Sequence, residues 1–163
     1  MTLDRAQQQR IHRLIQGHRW ASLASVGQDG PECSWVAHAP EPGFQGFLLH
    51  LSDLASHSRN LLREPRASLA ISEQERPDTD PQTLARLTLF GSVAQIARDD
   101  PAYPAAAARY QQRLPEAVPL FEFGDFRLLR FRPARVRFIG GFARAFSLDA
   151  AALTALADAV TDH

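Results

Sequence analysis

The stretch that decides the fold is Gly46-Phe-Leu-Leu-His-Leu-Ser-Asp-Leu-Ala-Ser-His-Ser-Arg-Asn-Leu-Leu-Arg-Glu-Pro-Arg-Ala-Ser-Leu69. Residues 46–51 form an apolar run with the length of a buried strand, and a short helix is predicted over about 55–63. Glu64-Pro65 ends this helix, and a further strand is predicted over 66–72. A helix that begins directly after a strand presents free backbone N–H groups, which favour an anion.

Four polar side chains lie near the predicted helix start: Ser56, His57, Arg59 and Asn60. Together they offer hydroxyl, imidazole, guanidinium and amide donors to a phosphate group. An ordinary capped surface helix has the same composition, and the local sequence does not separate the two interpretations.

The rest of the chain indicates short strands joined by turns. Strands are predicted at residues 20–26, 31–38, 86–96, 123–131 and 135–139, and helices at 3–16, 101–114 and about 148–160. The turn at residues 27–30 makes the first two strands a hairpin, Gly91 is expected to mark a bulge, and the alanine-rich helix at 101–114 is expected to be structural. Many short strands with few helices between them favour a mainly β fold, an antiparallel barrel with flanking helices, over a doubly wound parallel sheet.

Composition limits the number of domains, the charged partners and the kinds of catalysis that this chain can have. A chain of 163 residues with 45% hydrophobic content fits one domain over 1–163, with a core over about 18–146. Eighteen acidic residues balance eighteen basic ones, so no net charge attracts nucleic acid or an anionic membrane. All eighteen basic residues are arginine, which excludes lysine Schiff-base chemistry and the lysine-containing phosphate loop.

The single cysteine, Cys33, cannot form an internal disulfide, and no Cys/His spacing matches a zinc site. The first sixteen residues lack the apolar segment of a signal peptide, and no apolar run approaches the length of a membrane span. These observations predict a cytoplasmic protein without a bound structural metal.

The order of these segments resembles the FMN-binding split barrels of the pyridoxamine 5′-phosphate oxidase superfamily. Besides the opening stretch, residues 29–34 (DGPECS) and 86–93 (RLTLFGSV) carry the resemblance. Residues 135–145 (RVRFIGGFARA) and the run from Leu51 to Leu61 are similar to the haem-utilisation branch of that superfamily. The matches extend over most of residues 20–146.

The resemblance implies a homodimer with an FMN site at each subunit interface, and a probable FMN-dependent oxidoreductase acting on a small molecule. The implied cofactor-binding residues are Ser34, Trp35 and Val36 along the isoalloxazine and ribityl edge, His50 and Leu51 near the ring system, Ser56, His57, Arg59 and Asn60 near the phosphate, and Arg86 of the partner subunit. Histidine is only partly charged at neutral pH, so His57 is expected to hold a phosphate less firmly than a lysine would. The tryptophan-containing motif with which oxidase members recognise their substrate is absent, which counts against pyridoxamine phosphate oxidation itself.

Two alternatives stay open. The branch-level resemblance implies a haem-binding or haem-degrading protein, whose axial ligand would be His163 supported by Asp125. The other alternative is a flavin-binding module without catalysis. His38 is expected to be a polar residue at the rim where the second strand ends.

Overall fold

One antiparallel sheet organises the chain, of which the computed structural model describes residues 3–141 and 144–161. Its strands are β1 (Trp20–Val26), β2 (Pro31–Ala37), β3 (Ala39–Pro40), β4 (Phe47–Ser52), β5 (Arg66–Ser72), β6 (Arg86–Gln95), β7 (Phe126–Ile139) and β8 (Ala145–Asp149). The strand order is β2-β1-β5-β6-β7-β4-β3, with β8 paired to β7, and β2 also lies against β4. The sheet therefore curls into a partly closed barrel, and the fold class predicted from the sequence is confirmed.

Four α-helices flank the sheet within the described ranges: α1 (Arg5–Gly17), α2 (Ser56–Arg63), α3 (Tyr103–Arg113) and α4 (Ala150–Thr161). Short 3₁₀ helices span Pro42–Phe44, Pro81–Thr83 and Pro115–Glu122. Helix α1 begins with a capping box, in which the Asp4 carboxylate accepts from the Gln7 N–H and the Gln7 side chain accepts from the Asp4 N–H. None of the described helices has both the length and the apolar character needed to cross a bilayer. The cytoplasmic location stays a prediction.

The predicted hairpin joins β1 to β2. Val26 pairs with Pro31, and the Gly27 N–H donates to the Gly30 carbonyl at 2.7 Å. Gly30 has a φ of 140°, a conformation that side chains with a Cβ rarely adopt, so this turn depends on glycine.

The prediction of two separate final strands, at 123–131 and 135–139, is wrong, because β7 runs without interruption from Phe126 to Ile139. Proline was expected to divide them, since it has no N–H to donate to a neighbouring strand. The pairing of β6 with β7 instead shifts register between Phe90 and Gly91, with Phe90 opposite Arg135 and Gly91 opposite Pro133. A bulge thus accommodates the proline within one strand, at the glycine where a bulge was predicted. The short strands β3 and β8 had no clear sequence signal.

The main core lies on one face of the sheet. It is formed by alternate residues of the strands, among them Leu23, Leu69, Leu89 and Phe138, each with no exposed surface. Ile11, Leu14 and Ile15 of α1 belong to the same cluster. Complete burial of one such side chain is worth roughly 1.5–3 kcal/mol, so α1 is held firmly against the sheet.

Strand β4 is buried on both faces, and this explains its uninterrupted apolar sequence. Phe47, Leu49 and Leu51 face the main core, whereas Leu48 belongs to a second cluster formed with α3 and the 3₁₀ helix at Pro115–Glu122. His50 is two residues from Leu48 along the strand and therefore lies on the same, α3 side, where it contacts Tyr110 and Phe121.

His38 is not a rim residue, contrary to the prediction. It has no exposed surface, and neither ring nitrogen has a hydrogen-bond partner. Burial, together with the nearby Arg113 and His18, lowers the pKa of His38 to about 4. Because α3 packs over β3, the end of β2 that looked exposed in the sequence is covered in the fold.

Candidate functional site

A cavity of about 700 Å³, the main cavity, opens where six segments meet. These segments are the end of α1, the β1–β2 edge, the end of β4, the start of α2, the α3 region with the 3₁₀ helix that follows it, and the start of β7. Its volume lies within the range typical of small-molecule sites. The predicted site residues that line it are Trp35, Val36, His50, Leu51 and His57.

Aromatic rings form much of the cavity wall. Trp20 and Trp35 stack with centroids 6.3 Å apart and planes 7° apart, while Tyr110 and Phe126 line the cavity from other segments. Trp20 is 55% exposed and Trp35 is 59% exposed. Large apolar side chains with so much exposed surface are typical of a binding face.

His50 is an uncharged imidazole held among aromatic rings. It stacks on Phe121 at 3.8 Å between centroids and 6° between planes, with Phe126 at 5.1 Å and Tyr110 at 5.7 Å. Burial lowers the pKa of His50 to about 4, and Arg98 adds to this effect, so the ring is neutral at pH 7. Its Nδ1 atom is buried without a hydrogen-bond partner.

His57 is the only one of the predicted phosphate donors that lines the main cavity. Burial lowers the pKa of His57, and Glu32 partly opposes this shift. The residue before α2 is Ala55, which provides no side-chain cap for the first turn. Burial therefore disfavours the charged imidazole at a position where the sequence already predicted a weaker phosphate contact than a lysine would give.

The other predicted phosphate donors lie outside the main cavity. Ser56 is exposed, and Arg59 is also exposed and donates to the Leu54 carbonyl at 2.6 Å. Asn60 is buried and donates to Ser25 Oγ at 3.2 Å. Arg86 lies at the start of β6, with its guanidinium 3.4 Å from two carbonyls of the preceding loop. One subunit thus brings only part of the predicted set together.

Ser34 and Val36 lie on the same face of β2, since they are two residues apart in a strand. Val36 lines the main cavity, and the Ser34 hydroxyl is buried without a partner. A buried polar atom without a hydrogen bond usually costs about 1–3 kcal/mol, which makes Ser34 a candidate contact for a ligand.

Asp125 accepts a hydrogen bond from Ser52 Oγ at 2.6 Å, and Ser52 lines the main cavity. The carboxylate thus lies beside the site, although not in its wall. His163, the axial ligand implied by the resemblance, lies outside the described residues.

Several residues of the cavity wall had no signal in the sequence. Helix α3 was expected to be structural, yet its Tyr110 and the following Leu114 line the cavity. His18 and Trp20, near the N-terminal end of the chain, also line the cavity. Local periodicity marks such residues as part of a helix or a strand, but it does not show which cavity that element borders.

The fold and the cavity define a split-barrel protein with an aromatic-walled cavity. Residues 7–140 match the family model described as pyridoxamine 5′-phosphate oxidase, and the chain belongs to this family. The resemblance recognised in the sequence is thereby confirmed.

Three relatives carry haem in their names. The chain is 35% identical over 99 residues to a chloroplastic heme oxygenase, HOZ, from Arabidopsis thaliana, a match covering 61% of this chain and 29% of that protein. It is 26% identical over 140 residues to heme oxygenase HutZ from Vibrio cholerae, covering 85% of this chain and 78% of that protein. The structure of a heme binding protein from Mycobacterium smegmatis superposes with a TM-score of 0.79 at 30% identity, covering 95% of this chain and 62% of the mycobacterial one.

Proposed function

We propose that the chain binds haem in the main cavity. The observation that carries the proposal is the combination of an aromatic wall with three imidazoles, His18, His50 and His57, around a space of about 700 Å³. A porphyrin is a large apolar ring, and a neutral imidazole is a common ligand of its iron. Haem, when bound, would supply the iron as the centre of any oxygen chemistry.

The main cavity offers little free positive charge to a phosphate, and because the haem propionates are anionic too, the preference for haem rests on the aromatic wall and the imidazoles. Arg19 is the only arginine that lines the cavity within the described ranges, and its guanidinium pairs with Glu116 at 2.7 Å. The names of the relatives from Arabidopsis, Vibrio and Mycobacterium support the same choice.

The test is a haemin titration followed by tryptophan fluorescence and by the Soret band. Both tryptophans of the chain lie in the cavity wall, so bound haem should quench most of the emission with a saturable dependence. Leu120→Arg places a charge in the wall and should abolish saturable quenching.

Val118→Arg is the matched control, because Val118 belongs to the same 3₁₀ helix but is 46% exposed and does not line the cavity. It should bind haemin like the unmodified chain. Equal quenching in both arginine variants would contradict binding in this cavity. Loss of the Soret band in air with a reductant would extend the proposal to haem degradation.

FMN is the second candidate, with an FMN-dependent oxidoreductase as the corresponding activity. The unpartnered Ser34 hydroxyl favours it, since the polar ribityl edge of a flavin could satisfy this buried group. The ring system itself would supply the hydride and electron chemistry. Titration with FMN distinguishes the candidates: saturable quenching of flavin fluorescence, weakened by Ser34→Ala, would support FMN, and unchanged flavin emission would contradict it.

We also propose that the active form is a homodimer in which a second copy covers the open side of each main cavity. The half-exposed rings of Trp20 and Trp35 at this side support the proposal. Light scattering after size-exclusion chromatography should give twice the chain mass of 18.1 kDa. A single-chain mass at micromolar concentration would contradict the dimer.

A further inference from the structure

We infer that His18 is the residue that ligates the haem iron, in place of the terminal histidine implied by the family resemblance. The inference rests on the proposed haem function and goes beyond it by naming the ligand atom, Nε2. The assignment of His18 depends on the hydrogen bonds that the three imidazoles of the main cavity make.

His18 has the hydrogen-bonding pattern of a metal ligand. Its Nδ1 lies 2.9 Å from the Leu14 carbonyl oxygen. A carbonyl oxygen can only accept, so Nδ1 is the donor, and a ring that carries this single proton has its lone pair on Nε2. Histidines that ligate metals almost always donate their other N–H in this manner, which fixes the tautomer and orients the ring.

The Nε2 atom of His18 is available to a ligand. It has no hydrogen-bond partner among the described residues and, unlike both ring nitrogens of His38, it is not a buried unpartnered atom. His18 lines the same main cavity as the aromatic rings, so a ligand bound there is adjacent to this residue.

The backbone around His18 is also held in place. The Arg113 guanidinium donates to the Gln16 carbonyl at 2.6 Å and to the His18 carbonyl at 3.2 Å. These bonds connect the end of α1 to α3, and the His38 N–H binds the next carbonyl, that of Arg19, at 2.9 Å. A ligand on a backbone fixed from two sides loses little conformational freedom on binding.

The other two imidazoles fit this role less well. If His50 bound iron through Nε2, its proton would be on Nδ1, which is buried and has no acceptor. That arrangement leaves a buried donor unpaired, at a cost of about 1–3 kcal/mol. His57 makes no side-chain hydrogen bond within the described ranges that would orient its ring, and α2 begins only one residue before it.

The test compares His18→Asn with His163→Ala in the full chain, using haemin as the probe. The asparagine amide can still donate to the Leu14 carbonyl, so the end of α1 keeps its hydrogen bond while Nε2 is lost. We expect His18→Asn to change the Soret position and the iron spin state, and to lower haemin affinity by at least about tenfold. Added imidazole should restore the original spectrum, because it can occupy the vacant ligand position. His163→Ala should behave like the unmodified chain.

A protection experiment on the unmodified chain provides a second measurement, which does not depend on the folding of a variant. Haemin should protect His18 from carbethoxylation by diethyl pyrocarbonate, whereas His12, which does not line the main cavity, should stay reactive. Mass spectrometry of the peptides measures both.

The outcomes separate the two proposals. If the unmodified chain shows no saturable haemin binding, the proposed function and the ligand assignment both fail. If it binds haemin and His18→Asn retains the spectrum, or if His163→Ala alone loses it, only the assignment of His18 is overturned. Loss of the spectrum in His18→Asn, with rescue by imidazole and protection of His18, supports it.

Discussion

The buried imidazole of His38 should make the stability of the protein depend on pH. The pKa of His38 is lowered to about 4 in the folded chain, against about 6.5 for an unperturbed histidine. The unfolded chain therefore binds a proton at this site at a higher pH than the folded chain does. The stability contributed by neutral His38 is present above pH 6.5 and is lost as the pH falls towards 4.

The difference between the two pKa values sets the size of the effect. One pKa unit corresponds to about 1.36 kcal/mol, so the limiting loss below pH 4 is about 3 kcal/mol. At pH 5, where the unfolded imidazole is almost fully protonated and the folded one is not, the loss relative to pH 7 is about 2 kcal/mol.

Urea unfolding at pH 7 and pH 5, monitored by circular dichroism, measures this loss when the unmodified chain is compared with His38→Leu. Leucine has a similar volume, and it removes two ring nitrogens that lack partners, so the variant should be at least as stable at pH 7. The titrating groups that do not interact with His38 are shared, and their contributions cancel in the comparison; only the coupling of His38 to His18 is removed together with the ring. Between pH 7 and pH 5 the unmodified chain should lose about 2 kcal/mol more than the variant. Equal losses in the two proteins would refute the reasoning.

Two further changes test the packing around the sheet. Gly91→Ala would place a Cβ 1.9 Å from the Arg132 carbonyl oxygen, so β6 and β7 must separate at the bulge. We expect the free energy of unfolding, measured in urea, to fall by about 1–3 kcal/mol or more. A stability within error of the original would show that the bulge does not need glycine. Glu41→Gln removes the carboxylate that pairs with Arg130 at 2.7 Å in a mostly covered position. Thermal unfolding should show that the free energy of unfolding falls by roughly 1.5–3 kcal/mol, and that added salt barely changes this loss. A loss that disappears in high salt would indicate a solvent-screened pair instead.

Most of the secondary structure could be predicted from the sequence because its causes are local. The apolar alternation of β1 and the glycine-containing turn before β2 depend on neighbouring residues only. The division of β7 was predicted wrongly because the outcome at Pro133 depends on Gly91, a residue of another strand.

The candidate site could be predicted only in part. The stretch around His50 and His57 was found, since the strand-to-helix junction that carries them is continuous in sequence. Asn60 seemed equivalent to His57 in the sequence. In the fold His57 lines the cavity, whereas Asn60, one turn further along the same side of α2, is buried and donates to Ser25 of β1, a contact that the local sequence does not show.

The sequence by itself determined the family, the antiparallel architecture and the absence of lysine chemistry, because each depends on residue types and short-range order. Only the tertiary structure decided that His18 and Tyr110 border one cavity, and that His38 is covered. The physical reason is that the cavity wall and the burial of a side chain depend on segments distant in sequence. Those segments meet when the helices pack on the curled sheet, and their contacts do not appear in the hydrophobic periodicity of the chain.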